Sequence, residues 1–259
     1  MTIHELLRPE KRRWRLIRET QDFKTVREGY NARAETIDSN DAPNSYHLEI
    51  AENIERFGVP KSASILDAGC GAGGLCKALL GRGYTQLSAF DISDTHVADV
   101  GKFVTHAWQG IGESINQANH SYDVVISSLV IEHCMSPLLC LAEMYRVLKP
   151  GGLLYITTDN AWWCSLMELR NKLNPLSRRS ARFVQPIDGD FTLGEFQSML
   201  TGCGFKVEKT FFLGGFPWGE SVLQKILRKP TAEIPGFRYF ATRFGFIARR
   251  QALPVDGES

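Results

Sequence analysis

Short apolar runs alternate with segments of helical periodicity from about residue 60 onward. The runs SASILDAG, LSAFDIS and SYDVVISSLVI are rich in apolar and β-branched residues, as are parallel strands that are covered on both faces. Between and after them, LCKALLGRG and SPLLCLAEMYRVLKPGG have helical spacing and stop at glycine or proline. Ser136 is the expected N-cap of the second of these helices, and Thr192, with Glu195 at capping-box spacing, that of a later one. This alternation predicts an α/β fold with a doubly wound parallel sheet.

Two regions interrupt the alternation. Residues 1–59 have a largely helical pattern and precede the first strand, so we predict a helical N-terminal segment before a main domain over residues 60–259. Residues 160–190 form a long excursion between a strand and the next helix. Excursions of this length within compact α/β domains are usually lids or binding loops, so we expect an inserted lid here.

Composition and charge are those of a globular protein without a global attraction to polyanions. The 259 residues are 43% hydrophobic and 23% charged, and 30 basic side chains nearly balance 29 acidic ones. No apolar run approaches the roughly 18 residues of a membrane span, and the N-terminal sequence lacks the features of a secretory signal. We therefore expect a cytoplasmic protein that does not act on nucleic acid.

The cysteine pattern does not indicate a metal site. The six cysteines form no CxxC pair, and no histidine cluster accompanies them at the spacing of zinc ligands. They are Cys70, Cys76, Cys134, Cys140, Cys164 and Cys203. We predict free, mostly buried thiols and no bound metal.

The densest chemical signal is the glycine-rich segment ILDAGCGAGG, which joins the first predicted strand to a helix. Glycines let a backbone approach a ligand closely, and the N-terminus of the following helix attracts polar or anionic groups. Gly69, Gly71 and Gly74 have the GxGxxG spacing of dinucleotide-binding turns, so an NAD(P)-dependent oxidoreductase is one interpretation. Asp67 instead suits a cationic amino group, and Asp91, at the end of the second strand, can accept hydrogen bonds from ribose hydroxyls or cap a helix.

These segments resemble the class I S-adenosylmethionine (SAM)-dependent methyltransferases. ILDAGCGAGG resembles their first motif, FDIS the acidic second motif, and SYDVVISSLVIEH the fourth-strand motif. YRVLKPGGLLYITT and FTLGEFQSMLTGCGFKVE resemble two later segments, and the order is kept over roughly residues 60–212. The resemblance implies a Rossmann-like fold with a seven-stranded, mostly parallel sheet whose last strand is antiparallel. It also implies that SAM binds across the carboxyl ends of the strands.

The resemblance further implies which residues hold SAM. In this chain they are Asp67, Gly69, Gly71 and Gly73 around the methionine portion, Asp91 at the ribose, Ile92 at the adenine, and Ser127, Ser128 and Leu129 beside the methyl donor. The loop after the third strand, Gly110-Ile111-Gly112-Glu113, departs from the family pattern, because Ile111 follows Gly110 where many relatives have an acid. Two alternatives remain for the adenine contact, the backbone of Ile111 and the carboxylate of Glu113.

The pair Glu132-His133 resembles the acid-His pair that follows the fourth strand in ubiquinone-type O-methyltransferases. Some of those enzymes have another acid three residues before the Glu, implicated in metal binding. This chain has Leu129 there, so the resemblance gives no support for a metal. His133 is the candidate general base, because an imidazole titrates near neutral pH. The other interpretation is that His133 only packs or caps the junction between strand and helix.

In this family the appended segments usually choose the substrate, and here those are the first 60 residues, residues 160–190 and residues 213–237. Tyr30 and the pair Tyr46-His47 lie where relatives often place a helix over the cofactor. Aromatic residues in the excursion can line a pocket or fill the core, and its arginines can bind an anion or form a solvated face. The candidate substrate-binding residues are Tyr30, Trp162, Trp163, Arg178 and Arg179.

The function predicted from the sequence is methyl transfer from SAM to an oxygen, or next a nitrogen, of a small-molecule or lipid-linked acceptor. The alternatives are an NAD(P)-dependent oxidoreductase and a non-catalytic SAM-fold scaffold protein. Lysine and arginine are concentrated in residues 1–30 and 209–250, and the latter range contains FFLGGFPW. Basic segments with aromatic residues can dock on anionic membranes, so weak peripheral membrane contact is a further hypothesis.

Overall fold

Seven strands form one sheet in the computed structural model, which describes residues 23–34, 42–165, 189–213 and 241–251. The strands are β1 (Ile65–Ala68), β2 (Leu87–Asp91), β3 (His106–Gln109), β4 (Tyr122–Ser128), β5 (Leu148–Asp159), β6 (Phe205–Leu213) and β7 (Arg243–Arg250). Their order across the sheet is β3-β2-β1-β4-β5-β7-β6. Strands β1 to β5 pair in parallel, whereas β7 pairs antiparallel with β5 and β6. The predicted α/β fold and its antiparallel last strand are confirmed.

Helices cover both faces of this sheet. They are α1 (Phe23–Ala34), α2 (Ser45–Arg56), α3 (Gly74–Gly81), α4 (Asp94–Val100), α5 (Pro137–Val147) and α6 (Leu193–Gly202), with a 3₁₀ helix at Ile131–His133. Side chains of α2, α3 and α4 share one buried layer with Val124 and Ile126 of β4, and those of α5 and α6 share the other with Val125. Successive side chains of a strand point to opposite faces, so one strand contributes to both layers.

Local hydrogen bonds explain where three of the helices begin. Asn44 accepts a hydrogen bond from the backbone N–H of His47 at 3.0 Å, and the His47 ring accepts one from Asn44 in return. Ser136 caps α5, and Thr192 forms a capping box with Glu195 at the start of α6. The two helix starts expected at Ser136 and Thr192 are confirmed.

The described part of the N-terminal segment is helical and lies on one side of the domain. Helix α2 packs against α3, and α1 packs against α4. Helix α3 follows the carboxyl end of β1, and α4 follows that of β2. The N-terminal helices α1 and α2 therefore cover the region where β1 and β2 end. The domain boundary at residues 59 and 60 stays a prediction, and most of the expected insertions at 160–190 and 213–237 lies outside the described residues.

All six cysteines are free thiols, and four of them are buried. Within the described ranges, no group of three or more His, Cys, Asp and Glu side chains is arranged to hold a metal ion. No helix in that part of the chain combines the length and the apolar character that a membrane span needs.

Candidate active site

Several strands end at one edge of the sheet, and this edge is the candidate site. Asp91 ends β2, and Ser128 and Thr157 are paired where β4 ends and β5 approaches its end. Because β7 runs in the opposite direction, its first residue, Arg243, lies beside Asp159 at this same edge. Ligands of open α/β sheets bind outside the carboxyl ends of the strands.

The turn after β1 is shaped by three glycines with left-handed backbone angles. The φ values are +87° at Gly69, +49° at Gly71 and +80° at Gly73, where other residues are strained. A Cβ at Gly69 would collide with Val130, and one at Gly73 would collide with Phe103. A Cβ at Gly71 would have nothing within 4 Å. The first and third glycines are therefore required by packing, and Gly71 borders open space that a ligand can enter.

Asp91 is held against this turn by two backbone groups. Its Oδ2 accepts a hydrogen bond from the N–H of Gly71 at 2.9 Å, and its Oδ1 accepts one from Ser93 at 2.9 Å. The imidazole Nδ1 of His96 lies 3.5 Å from Oδ1. The carboxylate is thus fixed at the mouth of the glycine turn, where it can accept hydrogen bonds from ligand hydroxyls.

Asp67 is a buried carboxyl group beneath the same turn. It accepts a hydrogen bond from the thiol of Cys76, with 3.2 Å between Oδ2 and Sγ. The pKa of Asp67 is raised to about 7, chiefly because the group is buried; the Cys76 contact lowers this pKa and the negative charge of Asp91 raises it. A cationic group placed beside Asp67 would stabilise its ionised form.

The backbone between β4 and the 3₁₀ helix is strained where it reaches this edge. Leu129 has a left-handed φ of +58°, which is rare for a residue with a branched side chain. Ser127, two residues before it, is fully buried, and among the described residues its hydroxyl has no hydrogen-bond partner. Val130 packs against Gly69. The strained loop and the glycine turn therefore form one continuous wall.

These features fit SAM. The ammonium group of its methionine portion suits the buried Asp67, the ribose hydroxyls suit Asp91, and the open space beside Gly71 admits the ligand to the backbone. The Ser127 hydroxyl is an unsatisfied polar group that a ligand can bind.

The loop after β3 contains both candidates for the adenine contact. The carboxylate of Glu113 accepts a hydrogen bond from the backbone N–H of Ser136 at 3.1 Å, so it is engaged at the start of α5. Gly112 is buried, and a Cβ there would collide with Cys140. Ile111 is half-buried and forms an isolated bridge with Ser114. The choice between the backbone of Ile111 and the carboxylate of Glu113 stays a prediction, and Ile92 is half-buried just after β2.

A polar cluster lies at the ends of β4 and β5. The hydroxyl of Tyr46, from α2, is 2.6 Å from Oγ1 of Thr157 and accepts a hydrogen bond from Ser128 at 3.0 Å. Burial raises the pKa of the Tyr46 phenol, although the two hydroxyl contacts and the charge of Arg243 lower it. The resemblance predicts Tyr46 on a helix over the cofactor but not its contact with Thr157, because residues 111 positions apart meet only in the folded chain.

Arg243 is the residue of this edge that sequence reasoning missed entirely. Its Nε donates a hydrogen bond to Oδ1 of Asp159 at 3.3 Å, and its guanidinium carbon lies 5.5 Å from the centre of the Tyr46 ring. The antiparallel pairing of β7 with β5 places the first residue of β7 beside the ends of the other strands.

The predicted pair Glu132-His133 separates into two environments. Glu132 is buried and accepts a hydrogen bond from the Thr158 hydroxyl at 3.0 Å. His133 is half-buried, and its ring centre lies 6.2 Å from that of Tyr30 on α1. The structure thus brings together the candidate base and one candidate substrate-binding residue, and directs the neighbouring acid into the protein.

The other candidate substrate-binding residues are described only in part. Trp162 follows β5 with 66% of its surface exposed, and its backbone N–H donates a hydrogen bond to Asn160. Trp163 is half-buried. Arg178 and Arg179 lie outside the described residues.

Comparisons with known proteins agree with this site. Residues 66–156 match the family model described as a methyltransferase domain. The malonyl-[acyl-carrier protein] O-methyltransferase of Enterobacter lignolyticus is 36% identical over 119 residues, which cover 45% of this chain and 46% of that protein. The ubiquinone biosynthesis O-methyltransferase of Parvibaculum lavamentivorans is 34% identical over 103 residues, covering 37% and 40%. The chain therefore spans less than half the length of these curated relatives.

A solved structure extends the similarity of fold to most of the chain. It is a complex between the Trm112 methyltransferase activator of Haloferax volcanii and a methyltransferase, with a TM-score of 0.63 at 16% identity, covering 90% of this chain and 100% of the matched one. At that identity the likeness shows the fold alone. The glycine turn and Asp91, which could also indicate NAD(P) binding, lie within the matched residues 66–156. Residues 66–156 of the chain therefore match a methyltransferase domain, and the site at the carboxyl ends of the strands fits SAM as its cofactor.

Proposed function

We propose that this protein transfers a methyl group from SAM to an oxygen of a small-molecule or lipid-linked acceptor, with nitrogen as the second candidate atom. The observation that carries the proposal is the position of the Gly71–Asp91 pair and the Tyr46 polar cluster on one edge of the sheet. The Gly71–Asp91 pair fits a nucleoside that carries an amino acid. The Tyr46 polar cluster offers polar groups where an acceptor would approach. Oxygen is supported by the names of the two curated relatives, which are both O-methyltransferases.

The chain would hold SAM through charge and backbone shape. Asp67 would pair with the ammonium group, and Asp91 would accept hydrogen bonds from the ribose in the space that Gly71 leaves open. When bound, SAM supplies an electrophilic methyl group on a sulfonium. The further contacts that we propose are Gly69 and Gly73 at the turn, Ile92, Ile111 and Gly112 at the adenine, and Ser127, Ser128 and Leu129 beside the methyl donor.

On the acceptor side we assign His133 as the general base. A neutral imidazole nitrogen would take the proton of an acceptor hydroxyl as the methyl group is transferred. The Tyr30 ring beside His133 brings α1 over the same region, so that the helix can exclude water from the reacting groups. Orientation and proximity of the two reactants supply much of the remaining acceleration, and an acceptor that is already ionised needs no base.

Two parts of this proposal rest wholly or largely on segments outside the described residues. Recognition of an acceptor by Arg178 and Arg179 is one, and weak docking of the basic segments on an anionic membrane is the other. Trp162 and Trp163 lie at the entrance to the first of these segments, and Trp162 exposes an apolar surface that either role would use.

The first experiment is calorimetric titration of the purified protein with S-adenosylhomocysteine (SAH), NAD and NADP. We expect micromolar binding of SAH alone, followed by transfer of a labelled methyl group to members of a panel of hydroxyl, carboxylate and amine acceptors. Binding of a nicotinamide nucleotide instead would contradict the proposal. SAH binding without transfer to any member of the panel would favour the non-catalytic scaffold.

A further inference from the structure

Arg243 brings a positive charge to the acceptor side of the candidate site. It is the first residue of β7, and the antiparallel pairing sets it opposite Asp159 at the end of β5 and Leu213 at the end of β6. Asn160 fixes the chain immediately before it, since its side chain donates to the carbonyl of Ala241 at 2.9 Å and its backbone donates to Thr242 at 3.0 Å. The place of Arg243 is therefore determined by the sheet.

Two side chains, those of Asp159 and Tyr46, contact the guanidinium of Arg243. Its Nε donates a hydrogen bond to Asp159 at 3.3 Å, and its central carbon lies over the Tyr46 ring. Within the described residues, the two terminal nitrogens donate no hydrogen bond, and 39% of the side chain is exposed. Such a group presents two NH₂ groups side by side, and one N–H of each can bind a carboxylate or phosphate through two parallel hydrogen bonds.

Arg243 is also connected to the residues beside the methyl donor. Tyr46, on which it lies, is bonded to Ser128 and Thr157 at the ends of β4 and β5. An anionic group bound to Arg243 would therefore lie next to the polar cluster, one side chain away from Ser128. Asp159 balances part of the charge of Arg243 but occupies only its Nε, and so it orients the guanidinium without blocking the other nitrogens.

We propose that Arg243 binds a carboxylate or phosphate group of the acceptor and so selects anionic acceptors and orients them toward the methyl donor. This inference rests on the proposed function. It makes Arg243 a specificity-determining residue and Asp159 a positioning residue.

Arg249 provides a matched control on the same strand. Its Nε is also bonded to a carboxylate, that of Glu208, at 3.0 Å, but it pairs with Leu153 near the opposite edge of the sheet. The variants to compare are Arg243→Gln and Arg249→Gln. Each loses one positive charge and one ion pair from β7, and only the first changes the candidate site.

The experiment titrates wild-type protein and both variants, saturated with SAH, with benzoate, phenyl phosphate and the neutral methyl benzoate by calorimetry. We expect Arg243→Gln to weaken binding of the preferred anion at least tenfold while methyl benzoate binding and SAH affinity stay unchanged. Arg249→Gln should behave as wild type. A preference of the wild type for benzoate would identify a carboxylate acceptor, and a preference for phenyl phosphate a phosphorylated one.

Three results would overturn the inference: equal anion binding by Arg243→Gln and wild type, no anion binding by wild type, or a loss of SAH affinity in Arg243→Gln. The last would place Arg243 in the cofactor site. The titrations are repeated without SAH. Absence of SAH binding by the wild type would count against the proposed function. The anion titrations without SAH would still test the role of Arg243.

Discussion

The backbone N–H of Gly71 and Oδ2 of Asp91 are joined by a hydrogen bond of 2.9 Å. The bond connects the turn after β1 to the end of β2, and Ser93 fixes the other oxygen of the same carboxylate. The two sides of the cofactor site are thus set in place by the protein's own hydrogen bonds. A ligand hydroxyl that binds Asp91 meets a carboxylate whose orientation is already determined, which lowers the entropy cost of binding.

Replacing Asp91 by Asn should weaken SAH binding. The substitution keeps the shape of the side chain but removes its charge, and hydrogen bonds to charged groups contribute roughly 1.5–3 kcal/mol, so we expect a loss of about tenfold to a hundredfold. Asp99→Asn is the control, because Asp99 lies on the neighbouring helix α4 and pairs with the exposed Lys102. Calorimetry with SAH measures both. Equal losses in the two variants would remove Asp91 from the site.

The affinity for SAH should depend on pH through Asp67. In the free protein the pKa of this buried carboxyl group is about 7, and a bound ammonium group would lower it. Binding then releases a proton when the pH is below about 7, so the affinity rises as the pH increases toward 7 and levels off above it. Calorimetry in buffers of different ionisation enthalpy detects the released proton. Asp67→Asn should abolish this pH dependence, and its persistence in the variant would show that another group titrates.

Substituting His133 should reduce turnover and leave the cofactor in place. General base catalysis contributes typically 10²–10⁴-fold, so we expect His133→Gln to lower kcat by about a hundredfold or more with a hydroxyl acceptor. SAH affinity should be unchanged, since the ring of His133 contacts Tyr30 on the acceptor side.

His120→Asn is the control for this substitution. His120 is exposed just before β4, at the opposite edge of the sheet, and asparagine tolerates its left-handed φ of +60°. Unchanged turnover in His133→Gln would leave His133 with a packing role only.

Adding a methyl group at Gly71 should block the ligand more than it harms the fold. Gly71 and Gly58 both have a left-handed φ, +49° and +72°, and a Cβ at either would have nothing within 4 Å. Alanine at each should lower the free energy of unfolding by roughly 1–2 kcal/mol, the cost of the left-handed conformation for a residue with a Cβ. Only Gly71→Ala should lose SAH affinity. Thermal unfolding and calorimetry separate the two effects, and retained affinity in Gly71→Ala would place the ligand elsewhere.

The sequence predicts the cofactor half of the site better than the acceptor half. The glycine turn and Asp91 lie on consecutive strands in a continuous stretch of chain, where parallel pairing necessarily brings strand ends together. Glu113 shows the limit of this reasoning, because nothing local indicates that its carboxylate binds the backbone of Ser136. Similarly, Glu132 and His133 are adjacent in sequence, yet the 3₁₀ turn directs one inward and the other toward Tyr30.

The sequence by itself determined the α/β class, the two helix starts at Ser136 and Thr192, and the glycine turn with its paired acid. Each depends on periodicity, capping or backbone freedom, which act over a few residues. Only the tertiary structure decided that Arg243 stands beside Asp159 and over Tyr46. Arg243 and Asp159 are 84 positions apart in the sequence. Their contact depends on the direction of β7, which is set by pairing across the whole sheet and not by the residues of the strand itself.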